Sequence, residues 1–585
     1  MTGSAHPGRD RRPDPPALLP RSAPVLCALV PLCCSPLFRD GYAVPQAAAA
    51  AVASLACFFL LRRPDAGSPR SRLDAPALAL LAAAGLSAAF SLDRPLSLFG
   101  GYPDPVFSLA GLSLGVVALA LGGGIAAGGL APALRRGFVW VSVPVSLYAL
   151  LQRAGLELWM PLDGLPTGGR PVSTLGSPLF LGAYLAMVLP LALETAREEG
   201  SRRVAARAAL VPLLAALAAT LARSAWLGAA AGALLWGALR GEGGVRRRPL
   251  ALAALALLLA GGAAVSVLRP GVRAEDRWRT EAWSIAGRAF MESPVLGTGP
   301  DAFGIPYRAL RGGSGALSAS VGQTQAHDDL LQILATMGLL GFLAYLWLQL
   351  RLGARLLDAA GDGEAAAAGA AALAVWTAAK FTAASFSTVW PAALFAGVCA
   401  GAPGEEGPFR RRMTAGLLTA ALLFGGFAAL RAASADRQAR RGRLARRAGL
   451  PREAAVRFER AIARRPEATV YRFELVNLLR DAADAVPAHA RVELAGRARE
   501  TAEEGARLRP LDADAQRLLG EAELFCARSG DVPAFARARL AFERAVELDP
   551  LYPGSHLGLA AAARALGDRA GEARELAVSA AIGAR

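Results

Sequence analysis

Along most of this chain the apolar residues come in unbroken runs, not at the spacing of a half-exposed helix or strand. Runs rich in Ala, Leu and Gly, each about 16–22 residues long, recur down to Arg431. They predict thirteen membrane-crossing helices: Ala23–Phe38, Ala43–Leu61, Ala75–Phe90, Val106–Ala127, Gly137–Leu151, Ser177–Leu193, Val204–Leu221, Ser224–Leu239, Leu250–Leu268, Asp329–Leu350, Ala365–Ala383, Ser387–Gly401 and Thr414–Leu430. Beyond Arg431 the runs give way to helical periodicity, with Arg, Glu and Ala on the outer face.

In that last part the phrase Phe458-Glu-Arg-Ala461 returns as Phe542-Glu-Arg-Ala545, and Pro466, Pro510 and Pro550 close successive helices at intervals of 44 and 40 residues. This resembles tetratricopeptide-type helical hairpins, about four pairs between Ala435 and Ala581. Such hairpins bury a continuous core and leave a concave face for a protein partner. The expected fold class is therefore all-α, a polytopic transmembrane bundle followed by an α-solenoid.

Composition agrees with this division. A mean hydropathy of +0.36 and 54% hydrophobic residues exceed what an ordinary soluble domain carries. The net charge of +17 resolves into clusters at alternate span ends: Arg9, Arg11, Arg12 and Arg21, then Arg62 and Arg63, Arg135 and Arg136, Arg202 and Arg203, Arg246 to Arg248, and Arg410 to Arg412. Basic residues near span ends accumulate on the cytoplasmic side. The charge thus speaks for topology and against a nucleic-acid partner. The expected organisation is a cytoplasmic leader 1–22, a bacterial inner-membrane domain 23–431 with a large periplasmic loop 269–328, and a periplasmic repeat domain 432–585. The leader carries no convincing signal-peptide cleavage site. Cys27, Cys33, Cys34, Cys57 and Cys399 lie inside expected spans and Cys526 is alone in the tail, so no disulfide framework or zinc-ligand spacing is expected. Of the basic residues only Lys380 is not Arg.

Four polar phrases interrupt the apolar text. Ser173-Thr-Leu-Gly-Ser-Pro178 puts a turn before a span. Ala222-Arg-Ser-Ala-Trp-Leu-Gly228 forces Arg223 into the gap between two spans, where a charge is costly unless it meets an anion. Arg279-x-x-x-Trp283 and Pro294-Val-Leu-Gly-Thr-Gly-Pro300 occupy the long loop. His327-Asp-Asp-Leu-Leu-Gln-Ile-Leu then opens the next apolar run, followed by Gly338-Leu-Leu-Gly341. His327 is the one histidine on the expected outer face of the membrane domain.

These phrases, in this order over roughly Ala75 to Gly401, resemble the O-antigen ligase and Wzy-type polymerase superfamily. The resemblance implies a glycosyltransferase that moves a glycan from a polyprenyl-diphosphate donor to a lipid, glycan or protein acceptor on the outer membrane face, with no cofactor. Its functional positions fall on Arg223, Arg279 and His327. Two departures are Thr336, where an acidic residue often precedes the Gly-Leu-x-Gly phrase, and Tyr102-Pro-Asp-Pro105, where an Arg-containing phrase is usual. Arg offers a fixed fork of donors matched to phosphate, so Arg223 and Arg279 are the expected diphosphate clamps and no metal is required. His327, with an ordinary imidazole pKa near 6.5, is expected to take the acceptor hydroxyl proton or hold that hydroxyl in line. Asp328 is expected to orient the ring and Asp329 to cap the helix. Arg170, Trp283 and Asp328 are the candidate substrate-binding residues. Polymerase and protein O-oligosaccharyltransferase activities use the same donor, and the non-enzymatic alternative is an envelope scaffold presenting the repeats. A transporter is disfavoured because no inverted repeat is visible.

Overall fold

The computed structural model describes residues 21–62, 69–159, 167–240, 270–312, 323–404 and 407–583. The leader through residue 20 and the run expected at Leu250–Leu268 lie outside them. Among the described residues the chain is all-helical, with no strand. In order come α1 (Ala23–Leu29, extended by a 3-10 turn Val30–Leu32), α2 (Ala43–Leu60), α3 (Asp74–Ala89), α4 (Arg94–Phe99), α5 (Leu109–Ala127), α6 (Ala131–Arg153) and α7 (Pro178–Thr195). Next are α8 (Ser201–Ala219), α9 (Arg223–Arg240), α10 (Pro270–Glu292), α11 (Gly304–Leu310), α12 (Asp329–Asp358), α13 (Gly363–Ala379), α14 (Phe386–Ala400) and α15 (Pro408–Arg447). A final series comprises α16 (Pro451–Arg464), α17 (Thr469–Ala483), α18 (Ala488–Leu508), α19 (Ala513–Arg528), α20 (Ala534–Leu548), α21 (Pro553–Ala565) and α22 (Arg569–Gly583).

Helices occupy each of the expected spans that fall on described residues. Six of them, α2, α5, α6, α7, α12 and α15, are long and apolar enough to cross a membrane; Ala23–Leu32, α3 and α14 are apolar but shorter. They pack as one bundle around a shared core that runs from Ala23 to Ala429. With lipid outside, helices gain little from hiding apolar surface and instead associate where small residues let backbones approach. That is the use of the Ala and Gly. A Cβ on Gly122 of α5 would fall 2.0 Å from the carbonyl oxygen of Leu394 in α14, and one on Gly397 would fall 1.9 Å from that of Leu119.

One end of the bundle is tied by a buried ionic network. Arg135, 4% exposed, pairs with Glu364 at 2.6 Å and Glu198 at 2.8 Å and donates to Thr195 at 2.6 Å, while Arg240 meets Glu194 at 2.8 Å. Four helices, α6, α7, α9 and α13, are fixed there. Arg135, an orientation marker in the sequence, is also a structural tie.

Helix α15 leaves the bundle without a break and becomes the first element of the C-terminal array, so the boundary expected at 431/432 lies within one helix. From α16 to α22 each helix packs on its predecessor. The array curls back over the other end of the bundle. Its three turns before Pro466, Pro510 and Pro550 share one conformation: Arg465 (φ −140°, ψ 73°), Arg509 (−135°, 75°) and Asp549 (−145°, 84°). A following proline excludes the helical region for the residue before it, which explains the common geometry. All three side chains reach the bundle side. Arg465 donates to the Gly100 carbonyl at 2.8 Å, Arg509 pairs with Asp93 at 2.7 Å, and Asp549 receives Arg311 in an ion pair with both side chains under 5% exposed. The periodic prolines of the sequence mark a row of docking contacts.

Candidate functional site

The most irregular backbone gathers at that docked end. The four described non-glycine residues with positive φ are Ser173, Leu221, Asp301 and His327, at 50°, 52°, 61° and 57°. Each sits in a turn between bundle helices on the His327 side. Strain of this kind persists only where its surroundings over-determine it, and around His327 they do. Gln325 makes a two-way amide pairing with the backbone of Ala384, donating at 3.0 Å and accepting at 2.8 Å. The Ala326 amide donates to Gln332 at 2.8 Å, and Asp328 is the N-cap of α12, accepting from the Leu331 amide at 2.9 Å.

The imidazole is held edge-to-face against Trp278, with centroids 4.5 Å apart, and its Nε2 lies 3.0 Å from Oε1 of Gln323. An amide oxygen accepts, so Nε2 carries the hydrogen and Nδ1 carries the lone pair. Nδ1 is buried and has no hydrogen-bond partner among the described residues. Arg279 lies with its guanidinium carbon 4.9 Å from the Trp278 ring centroid. Burial first, and the Arg279 charge second, push the His327 pKa down to about 3. The expectation of an ordinary imidazole near 6.5 is therefore corrected. The ring is neutral at physiological pH and holds a proton weakly.

Neither aspartate next to the histidine has its expected role. Asp328 does not contact the ring nitrogens: it is drawn to the amides at the start of α12, whose orphan donors favour a carboxylate. Asp329 pairs with Lys380, the C-cap of α13, and accepts from the Tyr345 hydroxyl at 2.5 Å. Lys380 is thus a lock between α12 and α13.

The Pro294–Pro300 phrase and the Gly338–Gly341 phrase are two halves of one splice. Helix α12 breaks at Gly338 (φ 61°, ψ −162°), which frees backbone groups on both sides. The loop replaces their partners: Thr298 N donates to Ala335 O at 3.1 Å and Gly299 N to Thr336 O at 2.8 Å, while Leu339 N donates to Pro294 O at 2.8 Å. A Cβ at Gly338 would stand 2.4 Å from the Val295 carbonyl carbon, and one at Gly297 would stand 2.3 Å from that of Thr336. Irregular backbone beside a membrane must be satisfied inside the protein, and here one motif satisfies the other.

Between the bundle and the array lies a polar cavity of about 580 Å³, bordered by His327, Gln323, Gln325, Asp301 and Arg308 on one side and by Arg465, Thr469, Phe473 and Arg509 on the other. Asp104 and Asp301 border it too. Burial raises their carboxyls to about 6 and about 7, offset by donation from Ser385 to Asp104 at 2.6 Å and from the Gly101 amide to Asp301 at 2.7 Å. Below, an almost wholly apolar crevice runs into the bundle between Leu80, Phe107, Ile333, Trp376 and Trp390. The two spaces meet at a joint too tight to admit a water molecule, bordered by His327, Asp329 and Ala384.

Of the sequence-derived residues, His327 and Arg279 come together. Arg223 is the exposed first residue of α9, set by a tight turn in which Trp226 donates to Leu217 O at 3.1 Å. Arg170 donates to Thr167 O at 3.0 Å, and Trp283 is half-buried on α10. Arg170, Arg223, Arg279 and Trp283 are not among the described residues bordering the polar cavity, and Asp328 borders only the joint. Sequence reading missed Trp278, Gln323, Gln325 and Asp301. A usable signal was their position, since Gln323-Thr-Gln-Ala-His327 and Pro300-Asp301 extend the polar phrases already singled out. The Tyr102-Pro-Asp-Pro105 departure also has a use: Tyr102 meets Tyr471 of the array edge-on at 6.0 Å. Among the described residues no group of three or more His, Cys, Asp and Glu side chains is placed to hold a metal ion.

Residues 208–346 match the family model of O-antigen ligase. The matched stretch contains Arg223, Arg279, His327 and the splice at Gly338. No curated protein matches the chain. The family match supports a membrane glycosyltransferase of the ligase or polymerase type, and it implies a lipid-linked glycan donor with a glycan or lipid acceptor.

Proposed function

We propose that the protein transfers a glycan from a polyprenyl-diphosphate donor to an acceptor hydroxyl at His327, on the outer face of the bacterial inner membrane. The observation that carries this reading is the joint at His327, with an apolar crevice on one side and a polar cavity on the other. A substrate with a long hydrocarbon tail and a sugar head needs both environments, and the reacting bond lies where they meet.

In this reading the tail enters the crevice, the diphosphate meets Arg279, the charge beside His327, and the acceptor hydroxyl approaches Nδ1 of His327; Arg223, the second clamp expected from the sequence, borders neither space. The hydroxyl oxygen bonds to the anomeric carbon as the bond from that carbon to the phosphate oxygen breaks. Polyprenyl diphosphate leaves with the electron pair, and the hydroxyl proton passes to Nδ1. A neutral imidazole of pKa about 3 is a poor base by itself. The donor changes that, because an anion beside Arg279 offsets the charge that helps to hold the pKa down. Donor binding thereby raises the proton affinity of His327 at the moment it is required. Arg279 supplies the leaving-group stabilisation that a divalent cation would otherwise provide, and transfer is expected to proceed in the presence of a chelator.

The test is a chromosomal His327→Ala replacement. A transferase so altered remains in the membrane and accumulates lipid-linked glycan. Normal processing by that strain, with loss of phenotype only when the array is deleted, would favour the scaffold reading.

A further inference from the structure

The polar cavity is walled by the bundle on one side only. The other wall belongs to the C-terminal array, and the three proline turns hold that wall in place. The array is therefore part of the binding site, and its surface there has a definite chemistry.

Phe473 of α17 faces the cavity half-buried, and the Arg517 guanidinium backs the ring at 4.6 Å from its centroid. Beside it the Thr469 hydroxyl donates to Asp512 at 2.8 Å, and Asp512 pairs with Arg509 at 2.8 Å. A braced aromatic face next to a hydroxyl, a carboxylate and a guanidinium is what a sugar ring requires: an apolar platform for its C–H face and oriented donors and acceptors at its edge. The charge balance argues the same way. Arg308 is matched by Asp514, Arg465 by Glu467, and Arg509 by Asp93 and Asp512. A cavity whose cations are already matched on both sides does not attract a diphosphate, whereas uncharged hydroxyls suit it.

We propose that the C-terminal array forms the acceptor half of the transferase cavity, with Phe473 and the Thr469–Asp512 pair as the subsite for an uncharged sugar of the acceptor glycan. This rests on the transferase reading above and assigns the acceptor to the array side and the donor to the His327 joint.

The test uses the full-length protein in lipid nanodiscs, with radiolabelled lipid-linked glycan as donor and the host's purified surface glycolipid as acceptor. Phe473→Ala is expected to raise the acceptor KM about tenfold or more, leaving kcat and the donor KM unchanged, and Phe473→Tyr to restore the wild-type value. Thr469→Val, which keeps the shape and removes the hydroxyl, is expected to raise the acceptor KM in the same direction. An unchanged acceptor KM in both Phe473→Ala and Thr469→Val, or a parallel rise in the donor KM, overturns the proposal while the transferase reading stands. No transfer by the wild-type protein overturns both.

Discussion

At the residue scale the central object is a histidine whose partners were not all visible in the sequence. His327 and Arg279 stood out because charge and imidazole are rare between apolar runs. Gln323 and Trp278 did not, since neither the strain at His327 nor the return of α10 against its ring follows from a one-dimensional pattern. The low pKa of His327 comes from burial and Arg279, so Arg279→Gln is expected to move the imidazole titration upward, toward its ordinary value. Histidine-selective NMR in nanodiscs reads this directly, and an unmoved resonance would contradict the charge coupling. Arg279→Lys is expected to lose most transfer, about a hundredfold, because a point charge does not reproduce the bidentate fork. Asp301 gives a pH prediction of definite sign. Its folded pKa of about 7 lies above the ordinary carboxyl value, so the native state binds the extra proton between about 4 and 7. Its stabilising contribution is present below that window and is lost as pH rises through about 7. Asp301→Asn should therefore gain thermal stability relative to wild type as pH rises from 5 to 8, and parallel melting curves across that range would refute it.

At the scale of elements, the apolar runs announced the helices well because lipid leaves few other ways to satisfy a backbone. What they concealed was the break in α12. The run from Leu330 to Leu350 is continuously apolar apart from isolated polar residues, and nothing in its hydropathy marks Gly338 as a place where the helix stops and another segment takes over its hydrogen bonds. The two glycine-bearing phrases were visible as motifs, and their mutual contact was not. Gly338→Ala places a side chain in backbone conformation that only glycine adopts easily, against a carbonyl carbon 2.4 Å away. A cost of roughly 2–4 kcal/mol is expected from strain and overpacking together. The measurement is the thermal midpoint in detergent, which should fall clearly, with a loss of His327-dependent transfer because the splice supports the start of α12. A variant as stable as wild type would show that the splice can shift without cost.

At the scale of the whole molecule, the proline spacing was legible and the contacts made at each proline turn were not. Prolines at intervals of 44 and 40 residues predicted stacked hairpins, but only the fold reveals that Arg465, Arg509 and Asp549 are equivalent turn residues aimed at the bundle. A concave partner-binding solenoid was expected; the fold shows an array that walls the cavity beside His327. Reversing one member of the buried Arg311–Asp549 pair should be strongly destabilising for docking, since it leaves buried charges unpaired, and the double exchange Arg311→Asp with Asp549→Arg should recover much of the loss. Protease protection of the array reads docking independently of activity. Sidedness is open to an equally direct check: Glu503→Cys on the array should react with an impermeant maleimide in spheroplasts, and Arg202→Cys at the opposite end of the bundle only after permeabilisation. The reverse pattern would turn the site to the cytoplasm.

The claim on which the account depends is that His327 performs transfer from a lipid diphosphate, and release of free polyprenyl diphosphate by purified protein measures it most directly. With labelled lipid-linked glycan and acceptor in nanodiscs containing chelator, wild-type protein is expected to release the lipid diphosphate and to form product in equal amounts. His327→Ala should bind the donor normally and slow both by about a hundredfold or more. Equal rates in wild type and His327→Ala, with donor binding intact in both, would contradict the account.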